Sequence, residues 1–179
     1  MGISVSKKET MFKSKFLEVV RATFIGLDGK EGIWDYAHRE NDIASIIAFT
    51  PDKKIVLIRQ FRIPIGEYIL QLPVGKIDKE DINPASAAER EFLEETGYVV
   101  DEVIPLSAYY SSPSLIDNKI HLFCGFNAKK FAETNHENAE DIEVVLCSKE
   151  EVLEKIGKEN VNMGILSALM LAEKYLESR

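Results

Sequence analysis

Residues 84–97 constrain this chain more than any other stretch. Asn83-Pro84 offers an N-cap followed by proline at the first helical position, and Gly97 stands where a glycine commonly ends a helix. The spacing predicts a helix over about Pro84 to Thr96, with Ala85, Ala87 and Ala88 as small residues on its packed side. Its last two turns carry Arg90-Glu91-Phe92-Leu93-Glu94-Glu95. At about 100° per residue, Glu91, Glu94 and Glu95 are i, i+3 and i+4 neighbours, so three carboxylates share one face beside a guanidinium. Each like-charge pair destabilises the helix by about 0.2–0.5 kcal/mol, and the negative end of the helix dipole adds to the repulsion. Two readings follow. One is a solvated acidic face on which Arg90 pairs with Glu94; the other is a surface that binds a divalent cation. An all-oxygen donor set favours Mg²⁺ or Mn²⁺, and no Cys or His is spaced for zinc.

Upstream, Leu72-Pro73-Val74-Gly75-Lys76-Ile77-Asp78 reads as a strand end running into a glycine turn. Taken with Arg90 to Tyr98, it resembles the signature of the Nudix hydrolases: Gly, five residues, Glu, seven residues, then Arg-Glu-apolar-x-Glu-Glu-x-Gly-apolar. From Arg90 to Tyr98 every fixed position is matched. The first half departs from the pattern. One extra residue separates Gly75 from Arg90, so strict counting puts Ile82 where the first glutamate belongs, with Glu80 or Asp81 as the acid that fills its role.

Composition fits one domain of this kind. With 179 residues and 45% hydrophobic content, the chain is long enough for one well-buried domain and short for two. A formal charge of −8 argues against a nucleic-acid surface, which needs clustered Lys and Arg. An acidic protein with an anionic substrate needs a metal mediator. Cys124 and Cys147 read as buried thiols of a reducing compartment, and the expected location is cytoplasmic. No apolar run reaches transmembrane length, so no membrane is expected, although Met1-Gly2 with Ser6 and Lys7-Lys8 fits the loose N-myristoylation pattern.

Along the chain, Leu17–Phe24 and Gly32–His38 read as an N-terminal hairpin about the turn Leu27-Asp28-Gly29-Lys30. Ile43–Phe49 and Ile55–Ile58 are apolar enough for central strands, and Tyr68–Leu72 leads into the signature glycine. Further strands are expected over Val99–Tyr109, Lys119–Phe126 and Ile142–Cys147. Ser148-Lys149-Glu150-Glu151 is a capping box opening a helix to about Ile156, and Val161–Leu176 has helical spacing. The expected fold class is α+β. The resemblance implies the Nudix fold, a mixed β-sheet sandwiched between helices, with residues 1–42 as a dimer-forming N-terminal β-hairpin extension and residues 43–179 as the hydrolase domain.

Roles follow from the chemistry of splitting a pyrophosphate bond, which needs charge neutralisation, an in-line water and a base. Glu91 and Glu95 are the expected direct metal ligands, with Glu94 as a further ligand or an orienter of metal-bound water. The resemblance implies a metal-binding carbonyl at Val74. Arg90 is read as the residue that pins the glutamates. The resemblance also places the base in the loop before the last strand, with Glu140 the first candidate and Glu137 the reserve, and His136 a bystander.

Arg59-Gln60-Phe61-Arg62, Tyr98 and Pro113, sixteen residues after Gly97, are similar to the ADP-ribose pyrophosphatases. The match is not complete, for Ser112-Pro113-Ser114 stands where that group usually has Ser-Pro-Gly. Substrate contacts are thus expected at Arg62, at Arg59, at Pro113 and at Trp34, which either stacks on adenine or is buried in a dimer interface. The implied activity is Mg²⁺-dependent hydrolysis of ADP-ribose to AMP and ribose 5-phosphate by a homodimer. GDP-mannose or a dinucleotide as substrate, and a non-catalytic nucleotide-sugar-binding module, are the alternatives.

Overall fold

A computed structural model describes residues 2–136 and 139–176. The chain divides into two compact units, one formed by Met1–Asp42 with Tyr109–Ile120, the other by Ile43–Ala108 with His121–Arg179.

In the first unit, β1 (Ser4–Lys13), β2 (Glu18–Ile25) and β3 (Glu31–His38) form an antiparallel sheet in that order. The hairpin expected from the sequence is β2 and β3, paired from Glu18↔His38 to Ile25↔Glu31. Its turn closes through a hydrogen bond from Gly26 N–H to the Lys30 carbonyl (2.8 Å), with Gly29 at φ 77°. Strand β1 lies outside the hairpin expected from the sequence. All of its residues are exposed, so it carries no alternation of buried and exposed positions to reveal it.

The second unit holds most of a seven-stranded sheet. Its strands are β4 (Ile43–Phe49), β5 (Ile55–Arg62), β6 (Glu67–Gln71), β7 (Val74–Lys76), β9 (Glu102–Tyr110), β10 (Lys119–Phe126) and β12 (Ile142–Cys147). The main path runs β12-β5-β4-β10-β9, with β6 paired to β5 and β7 paired to β4. The short strands β8 (Tyr98–Val99) and β11 (Lys129–Lys130) pair separately. Three helices complete the unit: α1 (Pro84–Thr96), α2 (Lys149–Lys155) and α3 (Gly164–Leu176). No described helix is long and apolar enough to cross a membrane.

Helix α1 begins and ends where its caps predict. Asn83 Oδ1 accepts from the N–H groups of Ala85 and Ser86 (2.9 and 3.0 Å), and Ser86 Oγ accepts in return from Asn83 N–H (3.1 Å). At the other end Gly97 turns left-handed (φ 72°), and its N–H closes on the Leu93 carbonyl (2.7 Å). Between the caps, Ala87, Ala88 and Phe92 pack against Ala44, Ile46, Ala48 and Val56 of β4 and β5. Phe92 is fully buried, which is worth roughly 1.5–3 kcal/mol. This packing sets the rotation of α1, and so turns Glu91 and Glu95 toward β7.

Candidate active site

Gly75 lies inside β7, opposite Ala44, rather than in the turn expected there. A Cβ at this position would stand 1.9 Å from Glu91 Cδ and 2.2 Å from both carboxylate oxygens. The glycine is therefore required by close approach of a carboxylate to the strand, with no demand for an unusual φ. One residue earlier, Val74 N–H donates to Glu95 Oε2 (2.9 Å). Strand β7 thus receives the Glu91 and Glu95 carboxylates at two adjacent residues.

Burial governs their electrostatics. Glu95 is only 3% exposed, and its carboxyl is pushed up to about 8. Burial is the main cause, the charges of Glu91 and Glu140 add to it, and the Val74 N–H and Arg62 act against it. Burial likewise raises Glu91, opposed by its hydrogen bond from Arg90. Glu94 is more exposed and turns one oxygen to Arg90.

Arg90 is the hub that fixes this face. Its Nε and Nη2 donate to the two oxygens of Asp81 (3.1 and 3.0 Å), and Nη2 also reaches the Lys76 carbonyl (2.9 Å). Nη1 donates to Glu91 Oε1 (2.9 Å) and Glu94 Oε2 (3.1 Å). Asp81 accepts as a fork and is held below the usual carboxylate range by that contact. Ile82, the residue that strict signature counting selects, is 91% exposed. The extra residue of the entry loop is accommodated so that Asp81 faces Arg90 and Ile82 faces solvent.

Strand β5 supplies a cation to the same neighbourhood. Arg62 is buried enough to lower its pKa, and the charges of Glu95 and Glu140 oppose that shift. Its Nε donates to Gln71 Oε1 (3.1 Å). Arg59 projects from the other side of β5, where Nη1 meets Glu143 (2.6 Å), its cross-strand partner, and Nη2 meets Glu159 (3.1 Å). The two arginines expected to touch substrate therefore face different surroundings, and only Arg62 lies by the buried Glu95.

The loop before β12 is anchored to the end of α1. Asn135 N–H donates to the Glu94 carbonyl (2.8 Å), and His136 Nε2 lies 3.0 Å from the Glu95 carbonyl. A carbonyl only accepts, so Nε2 carries the proton. Glu137 lies outside the described residues. Beyond it, the Asp141 carbonyl accepts from Phe61 N–H (3.0 Å) and its carboxylate from the Tyr68 hydroxyl. Glu140 is held next to this anchor, within electrostatic reach of Glu91, Glu95 and Arg62.

These groups fit a hard divalent cation. Two carboxylates raised by burial and by neighbouring carboxylates gain from an added positive charge, and the donors are oxygens throughout. Among the described residues, no three acidic, His or Cys side chains already converge as a metal cluster. Arg90 holds one oxygen each of Glu91 and Glu94.

In the first unit, Trp34 and Pro113 line one apolar cavity of about 420 Å³, together with Phe24, Tyr36 and Ile116. The indole N–H donates to the Ser114 carbonyl (2.8 Å), which fixes the ring plane. Asp117, also at the cavity, accepts from Arg39 N–H (2.9 Å) and contacts His38 Nδ1 (2.7 Å).

Gln60 and Gln71 were missed in the sequence, although a glutamine within each of two apolar strands was a signal that something polar lay between them.

A family model for the NUDIX domain matches residues 39–166. The ADP-ribose pyrophosphatase of Bacillus subtilis (strain 168) is 28% identical over 155 residues, covering 86% of this chain and 83% of that protein. The methanol dehydrogenase activator of Bacillus methanolicus is 30% identical over 141 residues, covering 78% of this chain and 74% of that protein. Among solved structures, an ADP compounds hydrolase superposes with a TM-score of 0.84 at 19% identity, covering 99% of this chain and 96% of that one.

Proposed function

This chain belongs to the NUDIX family of pyrophosphohydrolases, and on that premise we propose that it hydrolyses the pyrophosphate bond of ADP-ribose to AMP and ribose 5-phosphate, with Mg²⁺ as cofactor. The observation that carries this reading is the pair of carboxylates, half-buried Glu91 and buried Glu95, set against the Val74-Gly75 backbone with the Arg62 guanidinium near Glu95. Likeness to an ADP-ribose pyrophosphatase supports the choice of substrate.

Nudix hydrolases generally use divalent metal ions. Glu91, Glu95 and the Val74 carbonyl would hold the ion, with Glu94 as a further ligand. When bound, it supplies charge neutralisation at the pyrophosphate oxygens and acidifies the attacking water. The remaining work belongs to the chain. Arg90 keeps Glu91 and Glu94 in place through Nη1, while its other nitrogens tie down the entry loop. Arg62 binds a substrate phosphate oxygen with a guanidinium that stays charged despite its burial. Glu140 takes the proton of the attacking water, since its carboxylate is carried by the loop beside the same cluster. Trp34 and Pro113 are assigned to the adenine, whose flat apolar face suits their cavity. Residues 1–42 are assigned to the interface of a homodimer.

Glu95→Gln tests the assignment. The variant keeps the size and the acceptor oxygen of the side chain and removes its ability to ionise. It is expected to lower kcat by at least about 1000-fold while ADP-ribose still binds. An unchanged rate would show that Glu95 is not part of the chemistry.

A further inference from the structure

The interior of β5 and β6 holds a buried amide pair, Gln60 and Gln71. Gln60 is 5% exposed and Gln71 3% exposed, in strands whose other buried residues are apolar. Strand register places Gln71 opposite Ile58, so Gln60 is its diagonal neighbour on the same sheet face, and Arg62 follows two residues on. Two buried amides in an apolar sheet are destabilising unless every donor and acceptor is paired. These two are paired in one direction only. Arg62 has no acceptor, so Gln71 must turn Oε1 toward Arg62 Nε (3.1 Å). That leaves Gln71 Nε2 to donate to Gln60 Oε1 (3.0 Å). The orientation of each amide is thus dictated by the next group along the chain.

The consequence falls on Arg62. Among the described residues, Nε is its only guanidinium nitrogen with a hydrogen-bond partner. The two terminal nitrogens remain as a fork in a plane set by the Nε contact, in the neighbourhood of Glu95 and Glu140. We propose that Gln71, anchored by its hydrogen bond to Gln60, is the positioning residue that aims the Arg62 fork at a phosphate oxygen of the nucleoside diphosphate substrate. A neutral amide suits this task because it orients the guanidinium and leaves its charge available to the phosphate. The inference rests on the proposed role of Arg62 as a phosphate contact, and the experiment separates the two.

Steady-state kinetics with ADP-ribose and Mg²⁺ are compared for wild type, Arg62→Ala, Gln71→Leu, Gln71→Glu and the double variant Arg62→Ala/Gln71→Leu. Gln71→Leu is expected to raise KM about tenfold with kcat within about threefold, because ground-state and transition-state contacts to the phosphate are lost alike. Gln71→Glu retains an acceptor for Arg62 Nε but sets a carboxylate against the guanidinium and removes the donor to Gln60, so it is expected to raise KM at least as much as Gln71→Leu, and a wild-type KM in it would contradict the need for a neutral amide. The double variant should be no worse than Arg62→Ala alone, since the two residues act as one unit. Gln71→Met, matched in volume, serves in place of Gln71→Leu if the leucine variant does not fold. A raised KM in Arg62→Ala with a wild-type KM in Gln71→Leu, or additive losses in the double variant, would overturn the positioning role. A wild-type KM in Arg62→Ala would overturn the Arg62 assignment, and the positioning role with it.

Discussion

Gly75 and Glu91 divide one space between them: a single methyl on Gly75 would stand 1.9 Å from the Glu91 carboxyl carbon. The obstructed atom is the end of a flexible side chain, so Gly75→Ala has a relief route in which the Glu91 carboxylate swings away from β7. Stability should then change by no more than about 1 kcal/mol, less than a rigid overpacking would impose. Activity should fall by about 100-fold, the scale that a displacement of one ångström carries at a reacting centre. Denaturant titration and kcat measured on the same preparation check both halves.

Asp81 is the acid that the lengthened entry loop delivers to Arg90. Asp81→Asn is expected to destabilise the fold by roughly 1–3 kcal/mol at pH 7, the range for a hydrogen-bonded charge. The contact lowers the folded pKa of Asp81, so its stabilisation is present above the unfolded value of about 3.8 and is lost as pH falls through the folded value. Wild type and Asp81→Asn should therefore converge in stability at the acid end. Urea titrations at pH 7 and at about pH 2–3 test this, and a constant difference between the two proteins would contradict it.

Glu95 gives the opposite sign. Its folded pKa, about 8 in the metal-free protein, lies above its ordinary value of 4.5, so metal-free stability should decline as pH rises from 4.5 toward 8. Cation binding requires the carboxylate, so Mg²⁺ affinity should rise by up to about tenfold per pH unit below pH 8 and level off above it, with proton release. Calorimetry in buffers of different ionisation enthalpy measures that release. Affinity independent of pH between 6 and 8 would rule out Glu95 as a ligand that must first lose a proton.

Local chemistry was legible in the sequence. Asn83-Pro84 and Gly97 bound α1 as their capping preferences dictate, and Ser148 with Glu151 opens α2 in the same way. What escaped was set by pairing across the chain. Gly75 reads as a turn glycine because its neighbours are turn-like, and only the arrival of Glu91 from α1 reveals why a side chain is excluded there. Strand β1 has no buried face to generate a pattern. Residues Tyr109–Ile120 group with the N-terminal unit through contacts such as Trp34 with Ser114, eighty positions apart. The acidic trio of α1 was visible from spacing alone, yet its three members end in different settings: Glu95 on Val74, Glu91 on Gly75 and Arg90, Glu94 on Arg90 at a more exposed position.

ADP-ribose hydrolysis is tested most directly by a panel of pyrophosphates assayed with Mg²⁺ and resolved by product: ADP-ribose, other ADP-sugars, GDP-mannose, a dinucleoside polyphosphate and a nucleoside triphosphate. ADP-ribose is expected to have the highest kcat/KM, the products to be AMP and ribose 5-phosphate, and chelation of the cation to stop turnover. Preference for GDP-mannose, or ADP-ribose bound without cleavage, would contradict this assignment.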